Sequence, residues 1–170
     1  MVVPELHLVQ SETDARQLSG LAREIWTEHY TSLIGAEQVT YMLDRYQSAE
    51  QIWQDIQSCH VTYVWLDCGT DMAAYMAYSD KTGYGDCFLS KLYVKKAYRG
   101  QGLAKTLLDH LVARCRRDKK QSIWLTVNKH NTGSIEAYKK LGFSCVDAIV
   151  TDIGGGFVMD DYVLRREVEQ

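Results

Sequence analysis

The stretch that decides the fold is residues 92–105, LYVKKAYRGQGLAK. Its apolar start predicts a strand, the pair Gly100 and Gly102 predicts a turn, and the apolar spacing that follows predicts a helix. Where a turn leads into a helix, several unpaired N–H groups point at one place and can bind a phosphate. Arg99 and Lys105 add positive charge there, so the stretch indicates an anion-binding site.

Two better-known phosphate-binding motifs do not fit this stretch. The nucleotide P-loop needs G-x-x-x-x-G-K-[ST], and the dinucleotide motif G-x-G-x-x-G needs a third glycine where Lys105 stands. A glycine pair before a helix also occurs as ordinary turn chemistry. The stretch alone therefore favours a phosphate site without identifying its ligand.

The segments on either side predict strands and helices in a mixed order. Ser11 with Asp14, and Ser48 with Gln51, are typical of helix starts. Before the turn, the expected elements are a strand at residues 3–9, three helices between residues 11 and 59, a hairpin of residues 61–66 and 72–78, and a strand at residues 87–94. After it, the expected elements are the helix from Leu103, a strand at 122–127, a helix at 132–141, and strands at 143–152 and 157–164. This order indicates an α/β (α+β) fold around one sheet.

A second motif lies about thirty residues after the glycine turn. Asn131 begins a helix, Tyr138 follows seven residues later, and Gly142-Phe143 stands just beyond that helix. The first motif, residues 99–104, has the form [Q/R]-x-x-G-x-[G/A]. Together the two motifs resemble the GNAT superfamily of acyl-CoA-dependent N-acetyltransferases, and the resemblance covers nearly the whole chain.

The resemblance implies a fold and a domain organisation. It predicts a single N-acetyltransferase domain over residues 1–170, with one mixed, mostly antiparallel sheet of about seven strands. Helices would flank the sheet, which would be splayed at the cofactor site. Within the superfamily, residues 25–48 and 159–162 also resemble a bacterial group related to polyamine acetyltransferases.

The resemblance also implies how acetyl-CoA is held as the co-substrate. Backbone groups of the strand would bond the pantetheine amides, N–H groups of the turn would hold the pyrophosphate, and Asn131 would bond the cofactor nearby. The cofactor-binding residues implied in this way are Leu92, Tyr93, Val94, Arg99, Gly100, Gln101, Gly102, Leu103, Ala104, Lys105, Asn131 and Tyr138. Candidates for the ribose phosphate, each of which is otherwise a solvated surface charge, are Lys95, Lys96, Lys129 and Lys139.

The implied reaction is direct attack of a neutral amine on the thioester. Tyr138 is the expected general acid for the leaving thiolate, with a packed core tyrosine as the alternative. A backbone N–H near Tyr93 or Val94 would stabilise the developing oxyanion. Asp86 lies nearest to the position of an acidic base in some family members. Other candidates for the base are Glu28, His29, Tyr30, Asp160 and Asp161.

Position in the predicted elements narrows the choice among the candidates for the general base. His29 lies on the apolar stripe of the first helix, which favours a core histidine over a base. Asp160 and Asp161 are adjacent in a predicted strand and project to opposite faces, so at most one of them faces the acceptor.

Charge and aromatic residues indicate the acceptor. Residues 1–90 carry 4 basic and 13 acidic side chains, whereas residues 91–120 carry 10 basic and 2 acidic ones. The basic block fits the phosphates of the cofactor, and the acidic part fits a small cationic amine, with polyamines among the candidates. The expected acceptor residues are Trp26 and Tyr30, by cation–π contact, and Asp160.

Other functions stay open at this point. Within the same fold, the acceptor would be a protein or peptide amine; a different class would be a non-catalytic acyl-CoA-binding sensor. A nucleic-acid binder is disfavoured, because the sequence outside the basic block is acidic and the motif explains much of that block. We expect a small-molecule amine as the partner, with no nucleic acid and no membrane.

Composition predicts one ordinary domain of 170 residues with a net charge of −3. No apolar run approaches the roughly 20 residues of a membrane span, and no secretory signal pattern is present, so we expect a cytoplasmic protein. The expected assembly is a monomer or a homodimer. Five cysteines without a C-x-x-C pair argue against a disulfide framework or a metal site. They predict small, buried, apolar residues instead.

Overall fold

The computed structural model describes residues 3–170, in which seven strands and five α-helices form. A short 3-10 turn, Lys96–Tyr98, precedes the glycine turn. In chain order the elements are β1 (Glu5–Leu8), α1 (Glu12–Ile34), α2 (Ala36–Tyr46), α3 (Ala49–Ser58), β2 (Thr62–Cys68), β3 (Asp71–Ser79), β4 (Cys87–Val94), α4 (Leu103–Arg117), β5 (Ser122–Asn128), α5 (Thr132–Lys140), β6 (Ser144–Gly154) and β7 (Phe157–Glu167).

All seven strands belong to one sheet, in the order β1-β2-β3-β4-β5-β7-β6. The pairs β1–β2, β2–β3, β5–β7 and β6–β7 are antiparallel, and the pair β4–β5 is parallel. The predicted mixed, mostly antiparallel sheet of seven strands is therefore confirmed. The register pairs Cys87 and Phe88 of β4 with Ile123 and Trp124 of β5, all within one compact unit of the chain.

Local side-chain contacts explain where the first helices begin. The Ser11 hydroxyl accepts the backbone N–H of Asp14 at 3.1 Å, and the Ser48 hydroxyl accepts that of Gln51 at 3.2 Å. Each contact satisfies one of the donors that a helix start leaves unpaired. Gly35 separates α1 from α2 with a φ angle of +88°, which a residue with a Cβ rarely adopts.

The described chain forms two compact units. Unit 1 contains the residues up to Tyr78 together with Lys91–Leu107, and it carries the glycine turn. Unit 2 contains Ser79–Ser90 and Leu108–Gln170, and it carries the motif of Asn131 and Tyr138. Strand β4 and helix α4 each contribute residues to both units.

Each unit has its own apolar core. Side chains of α1, α3, β2 and β3 fill the core of unit 1, and those of α4, β5 and β7 fill the core of unit 2. The largest fully buried side chains are Leu18, Ile25, Ile52, Tyr63, Leu66, Tyr75, Met76 and Leu107 in unit 1 and Leu108, Leu111, Ile123 and Leu125 in unit 2. Among residues 3–170, no helix combines the length and the apolar character that crossing a bilayer requires.

Two predictions about burial need correction. Cys87 and Cys115 are buried as expected, but Cys59 and Cys145 are exposed and Cys68 is half-buried. Cys59 follows the end of α3 and Cys145 lies on the exposed strand β6, where no apolar layer covers it. His29 was expected in the core, but it is half-buried, and the neighbouring ring of Tyr30 takes the buried position.

Candidate functional site

The glycine turn of unit 1 has the backbone geometry of an anion-binding turn. Gly100 and Gly102 have φ angles of +79° and +81°, in the region that disfavours residues with a Cβ. A Cβ added at either position would meet no described residue within 4 Å, so the space in front of the turn is open. Helix α4 begins directly afterwards at Leu103, and the first N–H groups of a helix have no partner within it. Turn and helix start together can hold a phosphate.

Arg99, the first residue of the motif, is held on both sides by unit 1. Its Nη2 lies 2.8 Å from the Glu28 carboxylate of α1, and its Nε donates to the Val94 carbonyl at 3.0 Å. The hydrogen bond from Arg99 lowers the pKa of Glu28 below its usual value; burial opposes this shift, and the positive charge of Arg99 adds to it. The guanidinium thus links α1 to the strand end that precedes the turn.

Lys95 is also tied into unit 1. Its ammonium lies 3.1 Å from the Asp71 carboxylate and 3.5 Å from that of Glu24. The Tyr98 hydroxyl donates to the same Asp71 carboxylate at 2.8 Å. Both hydrogen bonds lower the pKa of Asp71, and the one from Tyr98 has the larger effect. The charge of Lys95, a candidate for the ribose phosphate, is therefore already balanced by acidic groups of unit 1.

An aromatic cluster brings two predicted acceptor residues against a predicted cofactor residue. The rings of Trp26 and Tyr30 are buried and lie 4.3 Å apart, centroid to centroid. The Tyr93 ring meets Trp26 at 5.5 Å and Tyr30 at 6.1 Å, both edge-on, and Tyr75 at 5.4 Å. The face of β4 that carries Tyr93 is thus lined by aromatic rings of α1 and β3.

A polar network that no local sequence pattern indicates surrounds Lys91, two residues before Tyr93 on β4. The Lys91 ammonium donates to the Tyr46 carbonyl at 3.0 Å and to the Tyr63 hydroxyl at 2.6 Å. Tyr63 in turn donates to the Asp55 carboxylate at 3.0 Å. Burial lowers the pKa of Lys91 to about 8, with Asp55 opposing the shift. Its partners lie 28 and 45 residues away along the chain, so no local pattern reveals them.

The lowered pKa of Lys91 predicts a pH dependence of stability. The folded state loses this proton near pH 8, whereas the unfolded chain keeps it to the usual value of 10.5. Between these values the unfolded state binds more protons, so the free energy of unfolding rises with pH, by up to about 1.4 kcal/mol per pH unit.

Urea unfolding of the wild type and of Lys91→Met at pH 7.5, 9 and 10.5 measures this effect. The stability of the wild type relative to the variant should increase across the series. Lys140→Met, which removes an exposed lysine of α5, should show no such trend. A pH-independent difference for Lys91→Met would mean that Lys91 titrates with its ordinary pKa.

In unit 2, the second motif begins where β5 ends. Asn131 is buried, and its side-chain oxygen accepts the backbone N–H of Ser134, which caps α5 as predicted. Tyr138 is half-buried two turns further along α5, and its ring meets the Phe143 ring edge-on at 5.5 Å. Tyr138 is therefore not a fully packed core tyrosine.

Asp160 and Asp161 differ sharply in their surroundings. Asp160 lies 2.8 Å from the Lys129 ammonium and is half-exposed. Asp161 is 5% exposed, and burial raises its pKa to about 6, with the Asp160 charge adding to the rise and Lys129 opposing it. Asp160, an expected acceptor residue, and Lys129, a candidate for the ribose phosphate, are therefore paired with each other.

Asp86 has structural contacts in unit 2. Its carboxylate accepts the backbone N–H of Gln121 at 2.8 Å, and its own N–H donates to the Ser122 hydroxyl at 3.1 Å. It directly precedes β4, whereas the glycine turn follows the other end of that strand. These contacts connect the start of β4 to the start of β5. They give Asp86 a structural role, so we do not propose it as the general base.

Comparison with known proteins decides the family. Residues 19–143 match the family model described as acetyltransferase (GNAT) family. The chain belongs to this family. Both motifs, the glycine turn and the helix from Asn131 to Tyr138, lie within the matched residues.

Individual relatives agree with this GNAT assignment. The chain is 34% identical over 83 residues to an uncharacterized N-acetyltransferase of Mycobacterium bovis, and the match covers 49% of this chain and 53% of that protein. The aligned region thus spans about half the length of that relative. The fold is similar to that of the PaiA N-acetyltransferase from Thermoplasma acidophilum in complex with coenzyme A, with a TM-score of 0.80, 20% identity, and 97% and 99% of the two chains covered. It is also similar to that of yncA from Salmonella typhimurium with its cofactor acetyl-CoA, with a TM-score of 0.67, 16% identity, and coverage of 98% and 95%.

Proposed function

We propose that this GNAT protein transfers an acetyl group from acetyl-CoA to the primary amine of a small cationic acceptor. The observation that carries the proposal is the glycine turn before α4. Gly100 and Gly102 adopt left-handed backbone conformations, and the space that a Cβ would fill is open. A backbone cradle at a helix start suits the pyrophosphate of a coenzyme A derivative.

The residues present fit acetyl-CoA, which supplies the acetyl group as an activated thioester. Backbone groups of Leu92 and Val94 would hold the pantetheine arm, and the turn would hold the pyrophosphate. Asn131 would also bond the cofactor, with its side chain already fixed as the cap of α5. Tyr138 would donate the proton that the leaving thiolate needs, since a phenol gives up a proton to a thiolate more readily than water does.

The cationic acceptor is supported by the charge and the aromatic rings of unit 1. Helix α1 places Trp26 and Tyr30 against Tyr93 on the strand proposed to hold the cofactor. Aromatic faces attract ammonium groups, and the acidic excess of residues 1–90 favours a cation over an anion. The similar structures of PaiA and yncA contain coenzyme A and acetyl-CoA, which supports acetyl-CoA as the donor.

Release of free thiol from acetyl-CoA tests the proposal with the full chain. The protein would be incubated with acetyl-CoA and a panel of polyamines, aminoglycosides, amino acids and peptides, with a reaction lacking any amine as the control. We expect amine-dependent thiol release with at least one small cation. Faster release with peptides would favour a protein or peptide acceptor. Coenzyme A binding without release for any amine would favour a sensor and contradict the proposal.

A further inference from the structure

Two cysteines of unit 2 bring their thiols together. Cys87 is the first residue of β4, and Cys115 lies near the end of α4. Both side chains are fully buried, and both thiols are free. The Cys87 thiol donates a hydrogen bond to the Cys115 sulfur. Two sulfur atoms in hydrogen-bond contact need only small side-chain rotations to reach the bonding distance of about 2.05 Å, so the pair is a candidate site of oxidation.

An ion-paired arginine lies beside this thiol pair. Arg114, which precedes Cys115 in α4, has its Nη1 4.0 Å from the Cys87 sulfur and 2.7 Å from the Asp80 carboxylate. Its Nε lies 2.8 Å from the Asp118 carboxylate. The Arg114 side chain is 18% exposed and that of Asp80 is 48% exposed. The guanidinium thus joins the buried sulfur to carboxylates at the surface, and local opening of such an ion pair gives a small solute access to the thiols.

The two thiols differ in how readily they ionise. The hydrogen bond from Cys87 lowers the pKa of Cys115; burial opposes this shift, and the positive charge of Arg114 adds to it. The hydrogen bond to Cys115 raises the pKa of Cys87, and burial adds to that rise. The thiolate is the form that reacts with oxidants, so Cys115 is the nucleophile and Cys87 supplies the second sulfur.

We propose that Cys87 and Cys115 are a redox-sensitive pair that hydrogen peroxide converts into a disulfide. The Cys115 thiolate attacks one oxygen of the peroxide, so an S–O bond forms, the O–O bond breaks, and the departing hydroxide takes the proton that Cys115 released. The Cys87 sulfur then attacks the Cys115 sulfur: an S–S bond forms, the S–O bond breaks, and the second hydroxide takes the Cys87 proton. The two thiols together lose two electrons, and the peroxide is reduced to two molecules of water.

The disulfide would change the stability of the chain. It joins the first residue of β4 to α4, and the covalent loop that it closes includes the glycine turn. A cross-link of this kind restricts the unfolded chain, so the oxidised protein should melt at a higher temperature than the reduced one. The pair needs neither acetyl-CoA nor an amine, so this inference is independent of the proposed function.

Peroxide treatment of the full chain tests the inference, in a background in which only the pair remains because the other cysteines carry the substitutions Cys59→Ser, Cys68→Ser and Cys145→Ser. After removal of the peroxide with catalase, the protein is unfolded and its free thiols are alkylated. We expect both thiols to be lost, the intact mass to fall by two hydrogen atoms, and digestion to yield linked Cys87 and Cys115 peptides. The melting temperature should rise by about 5–10 °C, and dithiothreitol should reverse these changes.

Cys115→Ser in the same background is the matched control. Cys87 then has no partner thiol, so we expect no disulfide within the chain and no rise in melting temperature. Wild-type protein gives a second measurement that needs no substitution, since linked Cys87 and Cys115 peptides should appear at peroxide concentrations that oxidise the exposed Cys145. Two alkylated thiols under those conditions, or a disulfide that does not raise the melting temperature, overturn the inference. Oxidation to sulfinic acid without a cross-link also overturns it.

Discussion

Tyr138→Phe is expected to lower kcat for acetyl transfer by about 100-fold or more, with the affinity for coenzyme A unchanged. The ring of Tyr138 meets Phe143 edge-on at 5.5 Å, and a phenylalanine ring keeps that contact. Only the hydroxyl is lost, so the fold should survive while the leaving thiolate loses its proton donor. Steady-state thiol release with the best amine of the panel measures kcat, and calorimetry with coenzyme A measures binding.

Tyr84→Phe is the matched control in the same unit. The Tyr84 hydroxyl donates to the Asp147 carboxylate on β6, so this variant also loses one phenolic hydrogen bond. We expect its kcat to stay within about twofold of the wild type. If Tyr138→Phe retained wild-type kcat as well, the phenol of Tyr138 would have a packing role, and the thiolate would leave without its help.

Local signals explain why much of the fold could be predicted from the sequence. Ser11 and Ser48 begin helices because their hydroxyls accept N–H groups only three residues away. The bounds of β4, Cys87–Val94, follow from its apolar run and the polar segments beside it. The glycine turn was predictable for the same reason, because a left-handed backbone conformation favours glycine at that one position.

Burial and long-range partners could not be predicted in this way. Alternation along β7 says that Asp160 and Asp161 face opposite sides, but only the sheet order shows which of them is buried. The cysteines illustrate the same limit, because residue type does not reveal whether a layer covers the position. The network of Lys91 was missed because its partners arrive from α2 and β2, far away along the chain.

Gly102→Ala is expected to weaken coenzyme A binding about 10- to 100-fold. The φ angle of +81° strains any residue with a Cβ, and the new methyl group would project into the open space in front of the turn. A phosphate excluded from the turn loses hydrogen bonds from backbone N–H groups, and a hydrogen bond to a charged group contributes about 1.5–3 kcal/mol. Each 1.4 kcal/mol corresponds to a tenfold change in affinity.

Gly69→Ala separates the loss of binding from the backbone strain. Gly69 lies in the turn between β2 and β3 of the same unit, with a φ angle of +67° and no described residue within 4 Å of an added Cβ. Both variants should lose about 1 kcal/mol of unfolding free energy, measured by urea titration, because the strain is alike. Only Gly102→Ala should lose affinity for coenzyme A in calorimetry. Equal affinities in the two variants would mean that Gly102 only allows the chain to turn and that the phosphates bind elsewhere.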